Sequence, residues 1–431
     1  MKSILIILAA TVVFLLSCKK EDESKKITKI NAYPVVVVHG YLGSSDSYEY
    51  LSKMLEANGV SKEDIFYFDW NTTETNADLN AYQLEIFVDK ILEETGAKKI
   101  DLIGHSLGGG LSFSYCKKEK NASKVAHLAM IAPFLRYRTQ LPNEDIPTLN
   151  IWPTLDYVVT DGAPIPNAVN IELSDVDHNE IVANYKTFEA VFQLFYGQLP
   201  EKIQPQPTDN PEISGKVLSF VENKTLIGST LRIYSVEPAT GKRSSGTPEA
   251  VFSIKKDAKW GPFYPQKDVY YEFEVSTTEI GDRKLHFYRL PFSSDNHALV
   301  FRTFPPEGSP LRLAFSGIPQ NNNEAVAAFY STSKALWLNR DELNVNEYSF
   351  NNETFLAPEK NTLVIFLYDD NNNNVTDLTS IPLFDAFQSL KGADFFMPAQ
   401  DNSSTKFELN GAVLYTPNWP SRDGGLSVAV F

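Results

Sequence analysis

The pentapeptide Gly104-His105-Ser106-Leu107-Gly108 is a G-x-S-x-G set between two elements of the right kind. The apolar run Lys98-Lys99-Ile100-Asp101-Leu102-Ile103 precedes it, and Leu111 to Cys116 follows with apolar residues at helical spacing. A serine held at the apex of a strand-to-helix turn needs small flanking residues, because the backbone closes too tightly there for a Cβ. The helix that follows turns its free amides and the positive end of its dipole toward the serine, which favours negative charge beside it. Strand, turn and helix in register point to a nucleophilic Ser106.

The surrounding sequence fits that turn. From Tyr33 to Gly197, strand-length apolar runs alternate with amphipathic stretches, the pattern of a parallel sheet covered by helices, so the fold class is α/β. Strands are predicted at 34–38, 64–68, 99–103, 124–131, 148–152 and 168–173, and helices near 47–58, 77–95, 107–119 and 180–196. The unbroken apolar runs suit strands buried on both faces. The Pro- and Gln-rich stretch EKIQPQPTDNPE interrupts both periodicities. It marks a linker over 201–212 and closes a catalytic domain over 30–200. Beyond it β-branched and aromatic residues alternate with polar ones, giving one β unit over 213–307 and a second β-rich unit over 308–431. With all the core strands of the first part before residue 174, cutting the chain near Gln206 is expected to leave residues 27–205 folded and active on short, soluble esters, with activity on long-chain substrates falling more.

Composition narrows the partners. A hydrophobic content of 43% and a charged content of 22% are those of a globular protein, and a net charge of −15 disfavours nucleic acid and anionic membrane surfaces. A neutral ester or lipid substrate is indifferent to that field. At the N-terminus, Lys2 and the apolar run Ile4 to Leu16 form a segment too short to cross a bilayer, which takes about 20 residues. It is therefore expected to be a signal peptide over 1–17. Ser17-Cys18 resembles the bacterial lipobox, which implies lipidation of Cys18, a charged tether over 18–29 and attachment to the cell envelope, at the outer membrane and exposed at the surface. The second of the two cysteines, Cys116, then has no disulfide partner.

A serine hydroxyl needs a base, and the base needs a carboxylate behind it. Of the six histidines, His39 and His105 lie in tight turns, His127 lies within a strand, and His286 and His297 lie in the β part. His178 remains, in Ser174-Asp175-Val176-Asp177-His178 after the last core strand. Asp156, just beyond the strand at 148–152, is the expected acid, and Asp161 is its rival. The oxyanion of an acyl transfer would be met by the amide of Leu107 and by that of Tyr41, which follows the apolar run Val35–Val38 and His39-Gly40.

Taken in order, PVVVVHGYLGS, DLIGHSLGG, TLNIWPTLDYVV and LSDVDHNEIV resemble the minimal lipases of the α/β-hydrolase superfamily. The β-rich tail makes the layout similar to the archaeal (Archaeoglobus-type) lipases with a C-terminal β domain. Residues 213–307 resemble prealbumin-like sandwich modules. The resemblance implies a carboxylic-ester hydrolase that needs no cofactor, with Ser106, Asp156 and His178 as triad and Tyr41 and Leu107 as oxyanion donors. The short segment 134–147 leaves room only for a small lid. An acyltransferase, a polyester depolymerase on the same site, or a non-catalytic glycan-binding lipoprotein are the alternatives. A further motif, Asp369, Asn371, Asn373 and Asp377, places oxygen side chains as in a degenerate calcium loop, or forms a polar turn.

Overall fold

The computed structural model describes residues 33–431 apart from 137–139, 278–282, 307, 310, 311, 313, 314 and 401. The signal segment, Cys18 and the tether lie outside the described residues.

Six parallel strands form the first sheet: β1 (Val35–Val38), β2 (Ile65–Phe68), β3 (Ile100–His105), β4 (Val125–Ile131), β5 (Thr148–Pro153) and β6 (Val169–Leu173), in the spatial order β2-β1-β3-β4-β5-β6. Because side chains alternate across a strand, Val35 and Val37 enter one face and Val36 and Val38 the other. The first face packs on α1 (Glu49–Ala57) through Leu51, Met54 and Leu55, and on a long C-terminal helix, Tyr185–Tyr196, through Phe188, Val191 and Phe192. The second packs on α2 (Ala77–Thr95) through Leu84, Val88 and Ile91, and on α3 (Leu107–Cys116) through Leu111, Phe113 and Tyr115. Each such side chain contributes roughly 1.5–3 kcal/mol by leaving water. Local chemistry sets the ends of α2: the Asn76 side chain accepts from the amides of Asp78 and Leu79, and Gly96 stops the helix at φ 70°.

The β region is more continuous than two separate units. One eight-stranded sheet contains Thr230–Val236, Ala250–Ser253, Tyr270–Ser276 and Lys284–Arg289 from the first part, and Val326–Tyr330, Val364–Tyr368, Leu390–Asp394 and Leu426–Val430 from the second. The join is Leu426–Val430, which pairs in parallel with Lys284–Arg289 on one side and Val326–Tyr330 on the other. Trp260, Phe273 and Phe301 share one core with Phe366, Phe384 and Val428. The division expected near residue 307 is therefore a break neither in the sheet nor in the core.

The carboxyl ends of β1, β3, β5 and β6 open on one edge of the sheet, the edge where parallel α/β sheets place their ligands. The β region lies over that edge. Arg289 pairs with Glu49 at 2.8 Å, Arg340 with Asp177 at 3.0 Å and Lys216 with Asp69 at 2.5 Å.

Candidate active site

Ser106 sits between the last residue of β3 and the first of α3, with φ 53° and ψ −122°. That backbone is strained for any residue with a Cβ, and the surroundings hold it in place. The Ser106 amide donates to the Ile131 carbonyl at 3.0 Å, and the Ser106 carbonyl accepts from Gly109, Gly110 and Phe134. The flanking glycines are required by contact: a Cβ at Gly104 would lie 2.5 Å from Ser112 Oγ, and one at Gly108 would lie 2.2 Å from the Val38 carbonyl.

His178 Nδ1 donates to Asp156 Oδ2 at 2.7 Å, and both side chains are buried. The other oxygen of Asp156 accepts from the amides of Val158 and Val159, at 2.8 and 2.7 Å. Burial alone would raise the Asp156 carboxyl. The His178 bond and these two amides outweigh it and hold the group below the ordinary carboxylate range. With Nδ1 committed as donor, Nε2 is the basic nitrogen of the ring. The rival, Asp161, is not the carboxylate that meets His178. Asp177 takes another role: its Oδ1 accepts from the Asn179 and Glu180 amides, and its Oδ2 pairs with Arg340.

Ser106, His178 and Tyr41 line one cleft of about 830 Å³, open solvent included. Leu107 starts α3 beside it. Among the described residues, neither the Tyr41 amide nor the Leu107 amide meets a hydrogen-bond acceptor. The five residues expected at the site thus gather at one place.

Two histidines set aside as turn residues also prove to be part of its architecture. His105 donates from Nε2 to the His178 carbonyl at 2.9 Å, and the two rings lie 4.9 Å apart. Burial, with His178 beside it, pushes the His105 ring down to about 3, so it brings no charge next to the His178 ring. His39 donates from Nδ1 to the Gly40 carbonyl at 2.9 Å and accepts at Nε2 from the Trp70 amide at 3.1 Å. Burial lowers it to about 4.

The sequence did not reveal how much of the cleft comes from the β region. Phe220, Arg302, Tyr330, Leu363 and Ser389 form walls opposite Ser106. Arg302 Nη1 donates to the Leu42 carbonyl at 2.7 Å, and its Nη2 pairs with Asp46, which also accepts from the Tyr330 hydroxyl at 2.9 Å. Arg340 holds Asp177 and Glu180 on either side of the His178 loop. Trp337 meets Tyr157, the neighbour of Asp156, edge to face at 5.8 Å. The sheet is complete within the first 205 residues, and the cleft takes part of its lining from beyond them. In the segment after Pro133, Leu135, Leu141 and Ile146 are buried against the second face of the sheet. Deeper in the β region, an apolar cavity of about 690 Å³, open solvent included, is walled by Leu285, Phe287, Phe301, Ala328, Phe366 and Val428. It shares Phe220, Arg302, Tyr330, Thr332 and Val364 with the cleft.

The expected calcium-loop residues close on one another. Asp369 accepts from the amides of Asn373 and Asn374, Asn371 and Asn373 both donate to Asp377, and Asn373 Oδ1 accepts from the Val375 amide. Among the described residues, the group of carboxylates and imidazole close enough to share a metal ion is a different one, Glu272, Glu274 and His286, and it is bridged by the guanidinium of Arg243. Cys116 is a buried free thiol, pushed up by burial.

Comparison with known proteins agrees with this layout. Residues 33–169 match the family model for the alpha/beta hydrolase fold, residues 209–306 match that for the lipase C-terminal domain, and residues 329–430 match a third model described as a C-terminal domain. Among solved structures, a lipase from Bacillus licheniformis is 17% identical with a TM-score of 0.32, over 39% of this chain and 94% of its own. An alpha-beta serine hydrolase homologue from Coxiella burnetii is 16% identical with a TM-score of 0.30, over 38% and 88%. A bromoperoxidase from Bacillus anthracis is 15% identical with a TM-score of 0.31, over 39% and 94%. Residues 33–169 have the α/β-hydrolase fold, and the segment that follows them matches a lipase C-terminal domain.

Proposed function

We propose that the protein hydrolyses carboxylic esters through an acyl-enzyme on Ser106. The observation that carries this reading is the buried Asp156–His178 pair facing the same cleft as a serine held at φ 53°. His178 Nε2 takes the Ser106 proton as the hydroxyl oxygen attacks the ester carbonyl. Asp156 stabilises the imidazolium that results. The negative charge moves to the former carbonyl oxygen, where the Tyr41 and Leu107 amides donate to it; losing one such donor typically costs about 3 kcal/mol. The protonated His178 then gives its proton to the leaving alkoxide. Water repeats the sequence on the acyl-enzyme, with His178 again as base, and releases the acid.

The apolar cavity behind the cleft suits the acyl chain. Its lining is apolar side chains continuous with the cleft, and each methylene taken from water gains about 0.8 kcal/mol. Lipid esters are therefore the substrate class proposed. Lipidation of Cys18 would keep the enzyme at the envelope beside such substrates.

The test is covalent labelling of the full chain by a fluorophosphonate. Wild type should be labelled, and Ser106→Ala should remain folded and unlabelled. Labelling that persists in the variant would place the nucleophile elsewhere.

A further inference from the structure

The Tyr41 amide can meet an oxyanion only if its peptide plane is turned the right way. A trans peptide points its C=O and N–H in opposite directions, so the direction of the Tyr41 N–H is set by whatever holds the Gly40 carbonyl. Two donors hold it: His39 Nδ1 at 2.9 Å and the Gly43 amide at 3.2 Å. The first depends on the His39 tautomer. Nδ1 carries the proton when Nε2 is engaged as an acceptor, and the donor to Nε2 is the Trp70 amide at 3.1 Å, with the Asn223 side-chain nitrogen beside it at 3.2 Å. The two hydrogens of Asn223 Nδ2 have closer acceptors in the Gly43 carbonyl at 2.9 Å and the Trp70 carbonyl at 3.0 Å. One side-chain amide from the β region thus reaches His39, Gly43 and Trp70, each of which bears on the oxyanion loop.

Two features mark Asn223 as shaped for that contact. It takes a left-handed backbone, φ 51°, in the turn after the strand Ile213–Ser219, a conformation Asn tolerates better than most residues. Its Oδ1 is buried without a hydrogen-bond partner. Because the groups around Nδ2 are carbonyl oxygens and a ring nitrogen lone pair, the amide cannot flip to relieve that oxygen.

We propose that Asn223 is a positioning residue for the oxyanion hole: by donating to the Gly43 and Trp70 carbonyls, it holds in place the two residues whose own amides donate to the Gly40 carbonyl and to His39 Nε2, and so fixes the His39 tautomer and the direction of the Tyr41 N–H. The inference rests on the ester-hydrolase reading for its catalytic consequence, though not for its structural one. It also gives the β region a share in the chemical step, separate from any binding of the acyl chain.

The experiment uses the full chain with Asn223→Gly, which keeps the left-handed backbone and removes the amide, and Asn223→Asp, which keeps the size and removes the donors. Imidazole ¹⁵N spectra should show His39 as the Nδ1–H tautomer in wild type and as a mixture, or the other tautomer, in both variants. On an acetyl ester, kcat should fall roughly 10- to 100-fold while KM stays within about twofold, as befits a group felt in the transition state. Affinity for a trifluoromethyl ketone, whose adduct carries the oxyanion, should fall by the same factor. A folded variant that keeps the His39 tautomer and wild-type kcat would overturn the proposal. If Asn223→Gly does not fold, Asn223→Asp decides. Wild type without esterase activity would sink the hydrolase reading instead, and the spectra alone would then decide the role of Asn223.

Discussion

Asp156 has its two oxygens committed to different tasks, one to His178 and the other to the backbone of Val158 and Val159. Asp156→Asn should keep the loop in place but present an amide to Nδ1, which stabilises the wrong tautomer. Ester-hydrolysis kcat should then fall by about four orders of magnitude with little change in thermal stability; a loss under tenfold would show that Asp156 does not orient the base. His39 and His105 make a second prediction. The unfolded chain takes up protons on these rings near their ordinary value of 6.5, the folded chain only near 4 and 3. Their contribution to stability is thus complete above pH 6.5 and is lost as the pH falls toward those values, at about 1.4 kcal/mol per unit per ring. Urea unfolding at pH 7 and pH 4.5 should show the drop, and His105→Gln should make it shallower; an unchanged slope would mean that His105 is not held neutral. Ser106, Asp156 and His178 were legible because each follows a strand whose apolar run is itself legible. Asn223 and Arg302 were not, since their meaning comes from Gly43 and Leu42, which are remote in the chain, and no local pattern distinguishes them from any turn Asn or strand Arg.

Strands β1, β3 and β5 are buried on both faces, and such strands leave a plain mark as mostly apolar runs, most clearly Val35–Val38. The helix over 77–95 was equally readable, and the structure gives its ends as Asn76 and Gly96. The merging of the two β units was hidden for a physical reason. Parallel pairing has no hairpin turn to announce it, so nothing near Leu426–Val430 tells which strands it will join. The apolar cavity lies among these strands, and that location yields a third prediction. Ala328→Phe, at the wall, should fill the space meant for the acyl chain. Palmitoyl-ester hydrolysis should drop at least tenfold, since each methylene excluded forfeits roughly a fourfold preference at about 0.8 kcal/mol. Acetyl-ester hydrolysis should stay within about twofold. An unchanged ratio of the two rates would put the acyl chain elsewhere.

At the scale of the whole molecule, catalysis is proposed to be shared between a sheet that carries the reacting groups and a β region that holds their loops. Arg302 and Asn223 grip the oxyanion loop, Trp337 meets the acid loop and Arg340 spans the base loop. Cutting the chain near Gln206 would remove all four contacts, so the severed first part should lose most of its rate even on short soluble esters; full short-ester activity in that fragment would refute the shared site. For attachment, Cys18→Ala in an expressing cell should move the protein from the membrane fraction to the soluble one, because among the described residues no helix is long and apolar enough to cross a bilayer. Unchanged fractionation would mean that something other than a lipid on Cys18 holds it. The strand Leu426–Val430 lies in the interior of the eight-stranded sheet, yet it is made on the ribosome after every other strand of that sheet. The β region cannot close until it arrives, whereas the parallel sheet of the first part is available to fold much earlier. Synthesis thus runs from a strand-to-helix turn without its supporting walls to a finished cleft, and a nascent chain stopped short of residue 426 carries Ser106 but not the completed enclosure around it.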